Sequence, residues 1–305
     1  MRLIFAGTPE VAVPSLERLL AGRHEVVAVL TREDAPLGRK RILTPSPVAR
    51  AAESAGIPVL KANRLSDDVT EALTALAPDL GVIVAYGGFL REPLLSTPRL
   101  GWINLHFSLL PAWRGAAPVQ HALIAGDTVT GASVFQLVRE LDAGDVFGTL
   151  THPIDPDATA GALLGELADT GAGFLADVVD RLGDGAIEAV PQSGEVTVAP
   201  KLTIEDGQLP WTAPADEVYN RFRGVTPEPG AHTTIGGARF KVLDARVAPD
   251  VRLPPGQLGL ADGRVVVGTG TTALELLRVQ PAGKPAMAAA DWWRGLGRDP
   301  AIVAE

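Results

Sequence analysis

Apolar residues in the first half of the chain fall into short unbroken runs separated by stretches of helical period. Leu3–Ala6, Glu25–Leu30, Pro58–Leu60, Leu80–Ala85 and Gly101–His106 read as strands. The fourth is apolar throughout, as expected for a strand buried on both faces of a sheet. Between them, Val13–Leu20, a helix opened by Ser46-Pro47 and stopped at Gly56, and Ser66–Ala77 carry helical spacing. Ser46 and Ser66 are placed as N-caps, and Pro47 suits the first helical position. Strand and helix alternating at this spacing predict a Rossmann-like parallel α/β sheet with right-handed crossovers. Such sheets bind ligands beyond the carboxyl ends of their strands. Residues 31–45 read as a polar loop holding Arg39-Lys40-Arg41.

Further along, Ala116–Ala125 reads as a helix, Ala132–Val138 and Val146–Ile154 as a strand pair, and Thr159–Arg181 as a long amphipathic helix. Residues 183–206 mix polar and apolar positions without a period, like a linker. From Trp211 the texture changes. One helix, Ala215–Phe222, precedes five short strands divided by Gly and Pro: Ala231–Ile235, Arg239–Ala248, Gly256–Leu260, Val265–Gly268 and Leu274–Val279. That pattern predicts a small OB-like β-barrel. The domain reading is 1–188 for the sheet, 189–206 for the linker and 207–305 for the barrel. Trp292-Trp293 reads as packing.

Composition narrows the function classes. The 305 residues are 46% hydrophobic, ample for two cores, and contain no cysteine. Disulfides, cysteine-based zinc sites and thiol nucleophiles are therefore excluded. The five histidines show no metal-ligand spacing, so no metal is expected. The first residues enter a strand without a signal-peptide pattern. The longest apolar stretch, Leu80–Leu90, is broken by three glycines and is too short to span a bilayer. A cytoplasmic protein without a membrane partner is expected. No apolar helix face is left unaccounted for, which predicts a monomer. Residues 1–200 carry 15 basic and 24 acidic side chains, and residues 201–305 carry 12 of each. The excess acid disfavours a nucleic-acid partner mildly, but local clustering decides.

The candidate chemistry sits at the end of the fifth strand. Residues two apart on a strand share a face, so Asn104 and His106 converge while Leu105 points away. An amide donor suits a developing oxyanion, and an imidazole suits proton transfer near neutrality. Asp142, in Leu141-Asp142-Ala143-Gly144-Asp145, is placed to orient the imidazole if the topology brings it close. A serine hydrolase using Ser108 is disfavoured: there is no Gly-x-Ser-x-Gly elbow, and Ser108 lies two residues after its supposed base. Gly7-Thr8-Pro9 is not a dinucleotide fingerprint.

The run Asn104-Leu105-His106-Phe107-Ser108-Leu109-Leu110-Pro111 resembles the signature of the folate-dependent formyltransferases, and Asp142 matches that family's acidic partner. Arg114-Gly115-Ala116-Ala117-Pro118-Val119-Gln120, Phe5-Ala6-Gly7-Thr8-Pro9, Thr44–Val48, Ala199-Pro200-Lys201 and Gln280–Lys284 are similar to the branch acting on methionyl-tRNA, and the likeness runs end to end. It implies 10-formyltetrahydrofolate as formyl donor, tetrahydrofolate as product and initiator methionyl-tRNA as acceptor. It implies Asn104, His106 and Asp142 as the reacting set. Ser108, Leu109, Leu110 and Pro111, with Tyr86, Gly87, Gly88 and Phe89, are implied as folate contacts. Gly88-Phe89 departs from the aliphatic pair common there.

On charge alone Arg39, Lys40 and Arg41 form a solvated loop; the resemblance implies that they enter the acceptor stem. Lys201 and Lys284 stand in family-like segments and are carried as further tRNA contacts. Arg221, Arg223, Arg239, Lys241, Arg246 and Arg252, against Glu228, Asp244 and Asp250, form either a basic stripe on the barrel or an ordinary mixed surface. A small amine acceptor, hydrolysis of the formyl donor, and a non-catalytic folate- or RNA-binding module remain the alternative readings.

Overall fold

A computed structural model describes residues 1–38, 40–296 and 302–305. The chain forms two compact units. One comprises Met1–Pro118, Val129–Pro153 and Leu164–Ala199; the other comprises Val119–Thr128, Ile154–Leu163 and Pro200–Glu305.

The first unit is built on a sheet of seven strands. In chain order they are β1 (Arg2–Gly7), β2 (Glu25–Thr31), β5 (Val59–Lys61), β6 (Leu80–Val84), β7 (Trp102–His106), β9 (Val129–Gln136) and β10 (Val146–Pro153). A hairpin, β3 (Ala35–Leu37) and β4 (Ile42–Thr44), and a two-residue pair, β8 (Arg114–Gly115) with β11 (Val198–Ala199), lie outside it. The sheet order is β10-β9-β7-β6-β1-β2-β5. The five strands from β5 to β7 are parallel, as expected, while β9 runs antiparallel to both β7 and β10. The chain winds outward from β1 through β2 and β5, then returns on the other side of β1 as β6. That reversal is the topological switch beside which open α/β sheets bind ligands.

Local sequence explains the elements. All five residues of β6 are buried, consistent with a strand covered on both faces. Gly81 in β6 pairs with Trp102 in β7, and a Cβ there would run into the indole. Helix α1 (Val13–Leu20) buries Leu16 and Leu19, one turn of the apolar stripe. In α2 (Pro47–Ser54) the Ser46 hydroxyl accepts the Ala49 N–H at 3.0 Å, with Pro47 in the first turn. Ser66 stands at the N-cap of α3 (Asp67–Ala75) but its side chain makes no capping bond; Asp67 and Asp68 place negative charge in that first turn instead. Within the region 31–45, expected to be a loop, Ala35–Leu37 and Ile42–Thr44 pair as the β3–β4 hairpin. Its period-2 signal is hidden because Leu37, Ile42 and Leu43 are all exposed.

Helix α4 (Pro118–Ala125) and α5 (Ala160–Gly183) complete the first half of the chain. The segment read as a linker, 189–206, is not free over its first part. Val190 bridges Val146, and β11 pairs with β8. Residues up to Ala199 cluster with the first unit.

In the second unit, α6 (Ala215–Gly224) precedes β12 (His232–Ile235), β13 (Ala238–Ala248), β14 (Leu258–Ala261), β15 (Arg264–Gly268), β16 (Ala273–Pro281) and β17 (Met287–Ala288), followed by α7 (Ala289–Arg294). The antiparallel order is β12-β13-β16-β15-β14, with β17 on β16. Ala304 bridges Ile235, and Val303 bridges Gln257 just before β14, so one short segment joins both sheet edges and closes a barrel. Trp211, Val218, Phe222, Val242, Leu274 and Val279 fill its core. Trp292 packs on Phe240 at 4.5 Å between ring centroids, in line with the packing role expected for the tryptophan pair. No helix among the described residues is long and apolar enough to cross a membrane.

Candidate functional site

Strand β7 delivers Asn104 and His106 to the carboxyl edge of the sheet on one face. Leu105 is turned the other way and is 2% exposed, against α5 at Gly171, where a Cβ would meet its Cδ2 at 3.2 Å. Antiparallel pairing of β9 with β7 and β10 returns the β9–β10 turn to the same edge, and this turn carries Asp142. Two of the residues named from sequence, His106 and Asp142, therefore meet in space, with Asn104 two positions earlier on the same strand.

His106 is buried, edge-on to the Phe135 ring at 6.4 Å. Its Nε2 lies 2.9 Å from the Trp113 carbonyl oxygen. A carbonyl only accepts, so Nε2 carries the proton and Nδ1 carries the lone pair. That lone pair faces Asp142 Oδ2 at 3.9 Å. Burial pushes the His106 pKa below its ordinary value of 6.5, against opposing pulls from the Asp142 charge and the Trp113 carbonyl. Near neutral pH the imidazole is uncharged, with two acceptors, Nδ1 and a carboxylate, facing one another. A proton arriving between them is stabilised by both.

Asp142 has left-handed backbone, φ 47. Its Oδ2 accepts the Gly115 N–H at 2.8 Å. Gly115 sits at φ +127, and a Cβ would lie 2.6 Å from the Ala199 carbonyl oxygen, so only glycine fits. Asn104 Oδ1 is buried without a hydrogen-bond partner among the described residues. An acceptor left in this state costs about 1–3 kcal/mol.

The turn after β7 is held from within. Ser108 is fully buried and its hydroxyl donates to the Ala112 carbonyl at 2.6 Å. Ser133 Oγ donates to the Ser108 carbonyl at 2.7 Å and accepts the Leu110 N–H at 3.1 Å. Ser108 therefore braces the turn with its side chain; Leu109 is half-buried, Pro111 is buried, and Leu110 packs on Phe135 and Val146.

Tyr86, expected to lie against the ligand, has its side chain in the core. It is 2% exposed, packs in the core with Ile4, Leu30 and Trp102, and donates from its hydroxyl to the Ala62 carbonyl at 2.9 Å. Gly88 lies over that ring, where a Cβ would come within 2.5 Å of it; this accounts for glycine in place of an aliphatic residue. Phe89 is 80% exposed. Gly87 is fixed by Arg32, whose Nη1 donates to its carbonyl at 2.7 Å.

Of the basic triplet, Lys40 and Arg41 are exposed in the turn of the β3–β4 hairpin, and Arg39 lies outside the described residues. Lys201 and Lys284 are exposed in the second unit. Arg223 does not belong to a surface stripe: it is 5% exposed, over the Tyr219 ring, with Asn220 accepting from Nη2. Arg246 pairs with Glu275 at 2.9 Å. No three His, Asp or Glu side chains among the described residues are grouped to hold a metal ion.

Several contributors were not visible in the sequence. The Trp113 carbonyl and Gly115 N–H act through backbone. Thr197 Oγ1, which accepts the Trp113 N–H at 2.8 Å, and Gln192, which contacts the Asp142 turn, come from the stretch that read as linker. The Arg114-Gly115 pair was the one available signal, since its glycine has no other explanation.

Residues 1–179 match the formyl transferase family model, and residues 201–297 match the model for the formyl transferase C-terminal domain. A methionyl-tRNA formyltransferase from Leifsonia xyli subsp. xyli is 65% identical over 298 residues, 97% of this chain and 98% of its own. Among solved structures, HypX from Aquifex aeolicus in complex with tetrahydrofolic acid aligns with TM-score 0.62 at 19% identity, over 97% of this chain; this chain spans about half that protein, 47%. The methionyl-tRNA formyltransferase from Clostridium thermocellum aligns with TM-score 0.57 at 15% identity, over 81% of this chain and 94% of that one. These last two likenesses bear on the fold. Family models matching both parts of the chain, with a relative of 65% identity along nearly its whole length, place this protein in the formyl transferase family.

Proposed function

We propose that the protein transfers the formyl group of 10-formyltetrahydrofolate to the α-amine of methionine on initiator tRNA and releases tetrahydrofolate. One observation carries the chemistry: a buried neutral imidazole faces the Asp142 carboxylate at 3.9 Å. The activity for which the 65% identical relative is named supports the acceptor.

When bound, the folate supplies an electrophilic formyl carbon and a nitrogen leaving group. Asn104 donates from its amide nitrogen to the formyl oxygen, where negative charge grows as the amine attacks. His106 Nδ1 and Asp142 take up the proton that the attacking amine must lose and give it to the departing folate nitrogen as the bond to the formyl carbon breaks. Nε2–H stays on the Trp113 carbonyl and keeps the ring from turning. Leu109, Leu110 and Pro111 on one side, and Gly87, Gly88 and Phe89 on the other, hold the folate. Lys40 and Arg41, with Arg39, contact phosphates of the acceptor stem, and Lys201 and Lys284 extend that contact. The protein acts as a cytoplasmic monomer.

The decisive assay is formyl transfer from 10-formyltetrahydrofolate to charged initiator methionyl-tRNA, read against the elongator species. Selective transfer to the initiator is expected. Tetrahydrofolate release without tRNA formylation would overturn the acceptor, and no turnover by folded protein would overturn the chemistry.

A further inference from the structure

Gln192 stands between the two segments that frame Asp142. Its Nε2 donates to the carbonyls of Asp142 and Gly144, each at 2.8 Å. Its Oε1 accepts from Arg114 Nε at 3.2 Å and from Arg114 Nη2 at 2.6 Å. A primary amide has two N–H donors and an oxygen with two lone pairs, so all four bonding positions are used. The next residue after Arg114 is Gly115, whose N–H holds the Asp142 carboxylate. The residue before it is Trp113, whose carbonyl holds His106. A closed ring results: Asp142 backbone, Gln192, Arg114, Gly115 N–H, Asp142 carboxylate.

We propose that Gln192 is a positioning residue for formyl transfer, fixing the Asp142 turn against the Arg114-Gly115 strand and so setting the spacing of the carboxylate from His106. The proposal rests on the roles given above to Asp142 and His106. Its physical basis is that Asp142 holds its place at both ends. The carboxylate is tethered by one N–H, and its left-handed backbone lies in a region that non-glycine residues disfavour. Without a donor on the Asp142 and Gly144 carbonyls, that turn has lost the bonds that oppose relaxation. No other side chain replaces glutamine. Glutamate lacks donors, asparagine is one methylene short, and lysine lacks the acceptor for Arg114.

The test compares full-length Gln192→Leu, Gln192→Glu and Asp142→Asn with the wild type, in the initiator-tRNA formylation assay and by NMR titration of the His106 ring. Gln192→Glu keeps an acceptor for Arg114 while removing both donors, so it separates loss of the brace from loss of folding. Both Gln192 variants are expected to lose on the order of 10- to 100-fold in kcat, the scale of a small misplacement of a reacting group, with KM for both substrates nearly unchanged. In Gln192→Leu, which adds no charge, His106 is expected to titrate lower than in the wild type as the carboxylate swings away. Near-normal kcat in both Gln192 variants alongside an impaired Asp142→Asn would overturn the positioning role alone. Full activity in Asp142→Asn would overturn the underlying reading of the site. A kcat loss matched by a loss of folded protein, with an unchanged His106 titration, would reduce Gln192 to a structural residue and also overturn the proposal.

Discussion

Asp142 and His106 face each other without a hydrogen bond: Oδ2 lies 3.9 Å from Nδ1. That separation exceeds bonding distance but lies within strong electrostatic coupling. With Nε2–H committed to the Trp113 carbonyl, the pair presents two proton acceptors and no proton. In the proposed reaction it receives one from the attacking amine.

Asp142→Asn keeps the shape and removes the charge. Loss of a proton acceptor of this kind costs roughly 10²–10⁴ in rate, so kcat should fall within that range while both KM values hold. Single-turnover formylation is the measurement, and activity within threefold of the wild type would sink the assigned role.

The pH dependence follows from burial of His106, which lowers its pKa below 6.5. The acid limb of kcat/KM should have its midpoint below 6.5, and lower still in Asp142→Asn. Stability has the matching sign. Between the folded pKa and the unfolded value of about 6.5 the unfolded chain binds more protons, so stability rises with pH through that window. The contribution is complete above about 6.5 and is lost as pH falls through the folded pKa. An acid limb at or above 6.5 in the wild type would contradict this environment.

Neutralising Arg39, Lys40 and Arg41 together should raise KM for tRNA and flatten its salt dependence. Each phosphate left without its cationic partner takes about 0.7–0.9 from the slope of log affinity against log salt. Folate KM should not move. An unchanged slope would place the tRNA elsewhere on the surface.

Tyr86→Phe tests the reassignment of Tyr86 to the core. Removing its hydroxyl strands the Ala62 carbonyl, which the tyrosine now satisfies; the expected cost is about 1–3 kcal/mol in urea unfolding. Kinetic constants should be those of the wild type. A large rise in folate KM would return the ring to the ligand site.

Much of this was legible in the chain. The unbroken apolar run of β6 and the strand-end position of Asn104 and His106 are local signals, and the structure places them as read. Asp142 needed topology as well: only antiparallel pairing of β9 brings its turn back to the sheet edge. Tyr86 follows a buried strand, as a ligand-facing residue would, and sequence does not show that the Ala62 carbonyl already takes its hydroxyl. The β3–β4 hairpin was hidden because its apolar residues face solvent on both strands. Gln192 was hidden because its partners are backbone carbonyls, which every residue has.

The pairing of β11 with β8 has a consequence for synthesis on the ribosome. When residue 188 has emerged, Asn104, His106 and Asp142 are all present, yet Gln192, Thr197 and β11 are not. The nascent sheet at that moment lacks its brace and one wall of the β8 loop. Assembly of the site must wait for residues up to Ala199, so a chain stalled between these points would hold every reacting group and still lack the finished arrangement.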